Sequence, residues 1–423
     1  MNNAISFLKY GDVAEFRNGL NFSKESHGKG CKFISVADFK DNFTPQWELL
    51  GEINPSGVAR KEDYLESGDI IFVRSNGNKA LVGRSLYVER NEKSLYSGFC
   101  IRARLKTDDF LPLFLAYYTR TYFFKSAIKS VAGTNINNLN QDILSNVMIP
   151  HYSIEVQKSI VDVLSSIDEK IALNNRINAE LEAMVKTLYD YWFVQFDFPD
   201  ANGKPYKTSG GKMEYNATLK REIPVGWNLK PIEEYCDVVD CLHSKKPEFN
   251  HVNDECYLLQ LENISDNGLI NISDKYFVSE KDYDNWVSRI EIKQHDIVMT
   301  NAGRIAAFAQ IPEGVKCGIG RNITAIRPVN ISPNYFFTSI SGMDIQNQIL
   351  RNLDHGAFFK SFNVKGIKIL KILIPDSKSE LEFESIISPM IKKRQKIQDE
   401  NLSLIKLREY LLPLLMNGQV TLK

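Results

Sequence analysis

Two stretches of the chain carry buried-type residues at alternating steps of four and three. In the first they are Ile160, Leu164, Ile167, Ile171, Asn174, Asn178, Leu181, Val185, Leu188 and Trp192. In the second they are Phe383, Ile387, Met390, Arg394, Ile397, Asn401, Leu404, Arg408, Leu411 and Leu415. This spacing is the a/d seam of a heptad repeat and predicts two long helices that pair along it. Each position of the second series stands 223 residues after its counterpart, so Asn178 and Asn401 are equivalent. A buried Asn in a seam lowers stability but fixes register, and pairing of these two is the expectation. Two helices in one chain, each following its own domain, pair most simply antiparallel, with the domains at opposite ends. Pro389 predicts a start or a kink early in the second helix, because proline removes an intrahelical hydrogen bond.

Outside the seams the pattern shortens. Runs such as Asp69–Val73, Leu81–Val88, Tyr257–Leu261, Asp296–Thr300 and Ile323–Ile326 read as strands, broken by Gly/Asn turns. Helical stretches such as 111–130 lie among them. This is α+β, not an alternating parallel arrangement. The runs also recur. GDIIFVRSNGN at 68–78 has its counterpart in HDIVMTNAGR at 295–304, and LKYGDVAEFRNGL at 8–20 in LKPIEEYCDVVDCL at 229–242. Val147-Met148-Ile149-Pro150 matches Leu373-Ile374-Pro375, each ahead of a long helix. The chain therefore predicts two diverged copies of one unit. The expected fold is two pseudo-symmetric mixed α/β domains joined by two long helices in an antiparallel coiled coil. The boundaries are 1–150 for the first domain, 151–197 for the central helix, 198–218 for a Pro/Gly-rich linker, 219–378 for the second domain and 379–423 for the C-terminal helix.

Composition narrows the class. With 43% apolar and 25% charged residues the 423-residue chain is an ordinary globular protein. No apolar run reaches the ~18 residues of a membrane span, and no signal peptide is visible. Six sparse cysteines predict reduced thiols and a cytoplasmic protein. Fifty-two Lys and Arg balance fifty-two Asp and Glu, which excludes a basic carpet but not a local basic face. From Arg74 to Lys106 eight bases face two acids, whereas Glu233 to Asp284 holds thirteen acids and four bases. Scatter of solvated surface charge is the plainer account.

Catalytic signatures are missing. There is no P-loop, no Gly-rich cofactor fingerprint after a strand, and no Asn/Asp-Pro-Pro-aromatic tetrapeptide of the amino-methyltransferase kind. Pro199-Asp200 and Pro375-Asp376 lack the spaced acid and Lys of a nuclease site. Cys236, Cys241, His243, His251 and Cys256 fall within 21 residues, but not as two clean pairs, and no metal site is assigned. What remains suits binding. Arg74-Ser75-Asn76-Gly77-Asn78-Lys79 and Thr300-Asn301-Ala302-Gly303-Arg304 combine Arg, Asn, Ser and Gly: Asn matches adenine, Arg matches guanine, and Ser or backbone N–H groups match phosphate. Plain Asn/Gly turns have the same composition. Gly133 to Asn138 and Gly356 to Ser361 stand at one place in the two copies yet differ in chemistry, which suggests two readers of different words.

Here the chain resembles a known family, the specificity subunits of type I restriction–modification enzymes. Leu188-Tyr189-Asp190-Tyr191-Trp192-Phe193-Val194-Gln195-Phe196-Asp197-Phe198 looks like the aromatic end of that family's central helix. Ile223-Pro224-Val225-Gly226-Trp227 looks like the entry to its second domain, and Leu407 to Gly418 like its C-terminal helix end. Two departures stand out. The family more often shows a further proline and a Gln around Ile374-Pro375-Asp376, and the second copy lacks a counterpart of Trp192-Phe193, so contacts at the two ends should be unequal.

The resemblance implies two target-recognition domains and a non-catalytic subunit that reads a bipartite, asymmetric DNA target. It implies two partner methyltransferase subunits that use S-adenosylmethionine on adenine N6, and through them motor-nuclease subunits using ATP and Mg; this chain itself would bind no cofactor. The candidate DNA contacts are Arg74, Asn76, Lys79, Arg84, Thr134 and Asn135 in the first domain. In the second they are Asn301, Arg304, Arg321, Asn322, Phe358 and Lys360. Tyr189, Trp192, Phe193 and Phe196, four large aromatics within eight residues, are candidate partner contacts, with an intramolecular core as the other outcome. A coiled-coil adaptor unrelated to DNA, a fused nuclease or methyltransferase, and the specificity subunit of a fused type II-like system are the competing readings.

Overall fold

The computed structural model describes residues 6–40, 42–78, 81–132, 138–352, 354–355 and 360–420. The chain divides into two units. One comprises residues 1–170 and 404–423, the other residues 171–403.

In the first unit the strands are β1 (Ser6–Lys9), β2 (Ala14–Asn18), β3 (His27–Ile34), β4 (Gly51–Ile53), β5 (Ile70–Val73), β6 (Ser85–Tyr87), β7 (Ser94–Tyr96), β8 (Cys100–Leu105) and β9 (Met148–His151). Four of them form a sheet in the order β2-β8-β5-β6, and three form a second in the order β4-β3-β7, with β3 and β7 parallel. β1 pairs antiparallel with β9. The helices are α1 (Tyr10–Val13), α2 (Pro112–Thr119), α3 (Tyr122–Ala132), α4 (Gln141–Ser145) and the start of α5 (Ile154–Tyr189). The predicted helical stretch 111–130 is two helices, because Thr121 turns the chain and caps the second through its hydroxyl, which accepts from Phe124 N–H at 3.2 Å.

The second unit repeats this plan. After the hairpin β10 (Met213–Asn216) and β11 (Arg221–Pro224) come β12 (Asn228–Pro231), β13 (Cys236–Asp240), β14 (Tyr257–Leu259), β15 (Tyr276–Phe277), β16 (Ile297–Thr300), β17 (Phe308–Gln310), β18 (Gly318–Ile319), β19 (Ile323–Pro328), β20 (Asp354–His355), β21 (Lys360–Ser361) and β22 (Lys371–Ile374). Its sheets run β13-β19-β16-β17 and β15-β14-β18, with β14 and β18 parallel, and β12 pairs antiparallel with β22. Strand for strand, this is the order of the first unit. Helices α6 (Glu280–Trp286), α7 (Pro333–Ser341), α8 (Met343–Arg351), α9 (Val364–Lys368) and the start of α10 (Ser377–Met416) complete it. The segment 198–218, read as a linker, is folded at its end into β10.

Strand β5 is buried at every residue, which explains its unbroken apolar run. Ile70 and Phe72 face one core and Ile71 and Val73 the other, as period-2 side chains must. In β16, Ile297 and Met299 face one core and Val298 the other. Just before each central strand sits a nearly inaccessible carboxylate, Asp69 at 1% and Asp296 at 2% exposure. Arg104 on β8 grips Asp69 with two bonds of 2.7 Å, and Arg327 on β19 grips Asp296 at 2.8 and 2.6 Å. Each carboxylate also accepts a backbone N–H, from Glu66 at 2.8 Å and Lys293 at 2.9 Å.

The long helices are continuous with the domains. In the first unit Gln157 of α5, fully buried, accepts Leu111 N–H at the head of α2 and donates to the carbonyls of Asp109 and Tyr152, all at 2.8 Å. In the second unit Glu380 of α10 does the equivalent, accepting Ser332 N–H at 2.6 Å ahead of α7. α10 begins at Ser377 and runs through Pro389. The expected helix start at Pro389 is therefore not observed: Asp376, accepting Ser379 N–H at 3.0 Å, caps the helix three turns earlier.

The heptad seams are the buried faces. Ile160, Leu164, Ile167, Asn174, Asn178, Val185, Phe383, Ile387, Ile397, Asn401 and Leu415 are buried; Ile171, Leu181, Leu188, Met390, Leu404 and Leu411 are half-buried. The pairing is antiparallel within each unit. In the first, Asp168 meets Arg408 at 2.6 Å, and in the second Glu182 meets Arg394 at 2.6 Å. The asparagine pairing differs from the expectation. Asn401 is bonded to Asn174, whose amide donates at 2.9 Å, and not to Asn178; Asn401 in turn donates to Asn175 at 2.8 Å. Repeat-equivalent residues of an antiparallel pair lie on opposite sides of its dyad, so they face each other only at the dyad itself. The same register sets Asn178 opposite Ile397, and the buried Asn178 Oδ1 is left without a partner.

That asymmetry predicts opposite outcomes for two similar substitutions. Asn178→Leu removes an unmatched polar group and stabilises the second unit by about 1 kcal/mol. Asn174→Leu takes the donor from Asn401 Oδ1 and costs about 1–3 kcal/mol. Chemical denaturation of the two variants checks this; a loss of stability in both would show that Asn178 is satisfied.

Candidate nucleic-acid interface

Each central strand ends in the loop that sequence analysis singled out, and the two loops are held alike. Arg74, first after β5, donates its N–H to the Phe99 carbonyl at 2.8 Å, and its own carbonyl accepts Leu139 N–H at 2.8 Å. Asn301, first after β16, donates to the Asn322 carbonyl at 3.0 Å and accepts Phe362 N–H at 3.0 Å. One backbone frame thus presents both loops, and the side chains on it differ.

In the first unit the Arg74 side chain is half-buried and has no partner among the described residues. Asn76 accepts Asn78 N–H at 2.8 Å, closing an Asx turn. Arg84 donates to the Lys40 carbonyl, so it braces the wall of a cavity of about 270 Å³ that Asn76, Lys40 and Leu81 also line. Lys79, Thr134 and Asn135 lie outside the described residues.

In the second unit the arrangement is reversed. Asn301 is half-buried and donates to Thr324 Oγ1 at 2.9 Å and to Asp240 Oδ1 at 3.3 Å. Arg304 is tied to Asp266 at 2.7 Å and to the Ile264 carbonyl. The free groups are instead Arg321, exposed and without a partner among the described residues, and Asn322, exposed with φ 63°. An Asn tolerates that left-handed backbone better than most residues. Phe358 lies outside the described residues, and of Lys360 only the backbone, paired with His355, is described.

The aromatic group does not form a docking patch. Trp192, Phe193 and Phe196 are 3%, 2% and 1% exposed. After Tyr189 the helix winds into a π turn, Asp190–Val194, and Phe196 adopts φ 67°, which turns the aromatics inward. There Phe193 meets Tyr335 at 4.8 Å and Phe383 at 4.9 Å, and Phe196 meets Trp227 at 5.8 Å. Burial pushes the Tyr189 phenol up to about 12. Trp192, Phe193 and Phe196 thus take the intramolecular-core outcome, with Tyr189 half-buried against them. Trp227 and Tyr335 return from far along the chain, which heptad counting along one helix does not register.

Little here can do covalent chemistry. All six cysteines are buried and free. Burial pushes the thiols of Cys100, Cys236 and Cys317 up to about 12. Of the cysteine–histidine group, only Cys241 and His243 approach one another, together with Asp240. Asp240 is already the acceptor for His243 at 2.9 Å, Cys241 N–H at 3.0 Å and Thr324 at 3.2 Å. Cys236 faces a different core, and His251 stacks on Phe277 at 4.0 Å. Asp200 and Asp376, the two Pro-Asp acids, cap a turn and a helix.

Sequence reasoning missed Asn21 and Phe99. Both are exposed beside Arg74's frame, and Asn21 has no hydrogen-bond partner among the described residues. The repeat offset of 223 pairs Phe99 with Asn322, a signal for the turn; nothing comparable marks Asn21.

Arg74→Ala and Arg321→Ala should leave stability within about 0.5 kcal/mol of the parent, because neither side chain holds the fold. Each should weaken duplex binding. A phosphate contact shows as a fall of about 0.9 in the log K against log salt slope, and a base contact as ~1–3 kcal/mol at one position of the word. Asn301→Ala should instead cost about 1 kcal/mol of stability by removing the bonds its amide donates to Asp240 and Thr324. Unchanged slope and specificity in both arginine variants would remove these loops from the interface.

Comparison with known proteins gives a consistent picture. A family model described as "Type I restriction modification DNA specificity domain" matches residues 5–183. The specificity subunit of the type I restriction enzyme MjaIX of Methanocaldococcus jannaschii is 23% identical over 420 residues, 97% of this chain and 92% of that protein. The HindI specificity subunit of Haemophilus influenzae is 30% identical over 172 residues, covering 39% of this chain and 36% of that protein. The crystal structure of the type I restriction–modification S subunit from M. genitalium shares the fold, with a TM-score of 0.56 at 14% identity over 98% of this chain and 97% of that one. Among the described residues no helix is long and apolar enough to cross a membrane.

Proposed function

We propose that this chain, which belongs to the type I restriction–modification DNA specificity family, reads a bipartite, asymmetric duplex target, one half-site with each unit and an unread spacer between them. The observation that carries this reading is the frame built twice with different contents. The same hydrogen bonds hold Arg74 and Asn301, yet the first unit offers a free Arg74 and the second a free Arg321 and Asn322. Identical contents would read a palindrome; different contents read two words.

The chain acts by positioning. Its role is to dock two methyltransferase subunits, which methylate adenine N6 with S-adenosylmethionine, and through them the motor-nuclease subunits that use ATP and Mg. The target adenine is then flipped into the partner's pocket, so this chain need only hold the distorted duplex. It works in the cytoplasm, where such DNA is exposed. The relatives' description as specificity subunits supports a non-catalytic subunit.

The paired helices set the spacer on this reading. Four residues inserted after Asn178, matched by four between Lys396 and Ile397, lengthen the pair by ~6 Å at ~1.5 Å per residue. Duplex DNA rises ~3.4 Å per base pair, so the spacer should lengthen by one or two base pairs while both words stay the same. Sequencing of methylated motifs in cells carrying the variant with its methyltransferase gives the answer. An unchanged spacer with undiminished modification would show that partner subunits, not the helices, place the readers. Parent cells with no methylated motif, and a purified complex with no salt-sensitive duplex binding, would favour an adaptor unrelated to DNA.

A further inference from the structure

Phe99 is 57% exposed and its ring touches no other aromatic among the described residues. Single exposed apolar residues are common, and exposure alone says little. What distinguishes this one is the backbone frame that carries it. The turn that carries it is pinned on every side. Ser97 N–H donates to the Ile34 carbonyl at 2.9 Å, Gly98 N–H to the Leu20 carbonyl at 2.9 Å and Phe99 N–H to Ser97 Oγ at 3.2 Å. The Phe99 carbonyl in turn accepts Arg74 N–H at 2.8 Å and Ser75 N–H at 3.4 Å. Gly98 packs against the tip of the Asn21 side chain, whose Oδ1 would lie 2.3 Å from a Cβ placed there. The fold therefore fixes the backbone that presents an apolar ring to water, next to the backbone of an arginine whose side chain has no partner among the described residues.

The neighbours define what the ring would meet. Arg74 offers a guanidinium fork and Asn21 an amide, the groups that match guanine and adenine edges. The one apolar group that a base pair shows in the major groove is the 5-methyl of thymine. In the second unit the equivalent place is held by Asn322, so the ring belongs to one word only.

We propose that Phe99 is a specificity-determining residue of the first unit, and that it recognises the 5-methyl group of a thymine in that unit's half-site. The proposal rests on the DNA-reading function argued above. A thymine at that position is distinguished from uracil by one buried methyl, which corresponds to about a fourfold difference in affinity.

The test uses the full-length chain in complex with its methyltransferase and duplexes of the methylated motif. Each thymine of both half-sites, on either strand, is replaced in turn by deoxyuridine. One replacement should weaken binding by the parent about fourfold. Phe99→Ala should bind the thymine duplex as weakly as the parent binds that uracil duplex, and should lose nothing further on the replacement. Phe99→Leu, which keeps an apolar contact, should retain the discrimination. The proposal is overturned if no uracil replacement affects the parent, if the words contain no thymine, or if Phe99→Ala still discriminates at the sensitive position. Loss of complex assembly in Phe99→Ala with the uracil response intact would assign the ring to a protein contact and overturn it too. A parent complex with no sequence-specific binding would overturn the DNA-reading function itself, a result separable from all of these.

Discussion

Asp69 and Asp296 are carboxylates withdrawn almost completely from water, and each is tolerated because an arginine from the longest strand of its sheet grips both oxygens. An unpaired buried carboxylate would cost several kcal/mol. The pair fixes the level at which the central strand meets its neighbour, since Ile70 opposes Ala103 and Ile297 opposes Ile326 directly beside it. A slip of one residue would turn β5 or β16 over and exchange its two cores. Everything downstream inherits this level. The loops after β5 and β16 emerge where they do because the strands before them are seated by these pairs. The hydrogen bonds that Arg104 and Arg327 donate to Asp69 and Asp296 also hold the arginines' pKa above the ordinary range.

The helix pair solves a different problem. A seam of aliphatic residues alone would accept several registers. Polar residues placed off the dyad accept one. Asn174 meets Asn401, Glu182 meets Arg394 and Asp168 meets Arg408, and a shift of one heptad would separate all three. Arg394 is the most demanding of them: burial lowers its pKa, Glu182 offsets that, and its Nε is left unpartnered. Stability is given up there and at Asn178 in return for a single arrangement.

The proposed reading surface is, in each unit, a small set of groups that the fold does not use. Arg74, Asn21 and Phe99 in one unit, and Arg321 and Asn322 in the other, are free because their neighbours are satisfied without them. Asn301 and Arg304 have the same chemistry but are held by Thr324, Asp240 and Asp266. Residue type alone does not separate the two groups.

Periodicity determined a great deal by itself. The two helices, their buried faces, the duplication and the mixed strand-and-helix units follow from steps of four and three and from recurring apolar runs, because local spacing dictates which side chains share a face. The family likeness was legible in short segments for the same reason. Tertiary structure decided which seam residues meet, since repeat equivalence says nothing of where an antiparallel dyad falls. It carried the C-terminal helix unbroken through Pro389 from Ser377, where Asp376 supplies a cap that periodicity does not weigh. It closed Trp192, Phe193 and Phe196 into a core with Trp227 and Tyr335, partners far away in sequence. It also sorted free from engaged polar residues around the reading loops. Each of these depends on contacts between distant positions, and a side chain's partner across the fold is set by packing and not by its neighbours along the chain.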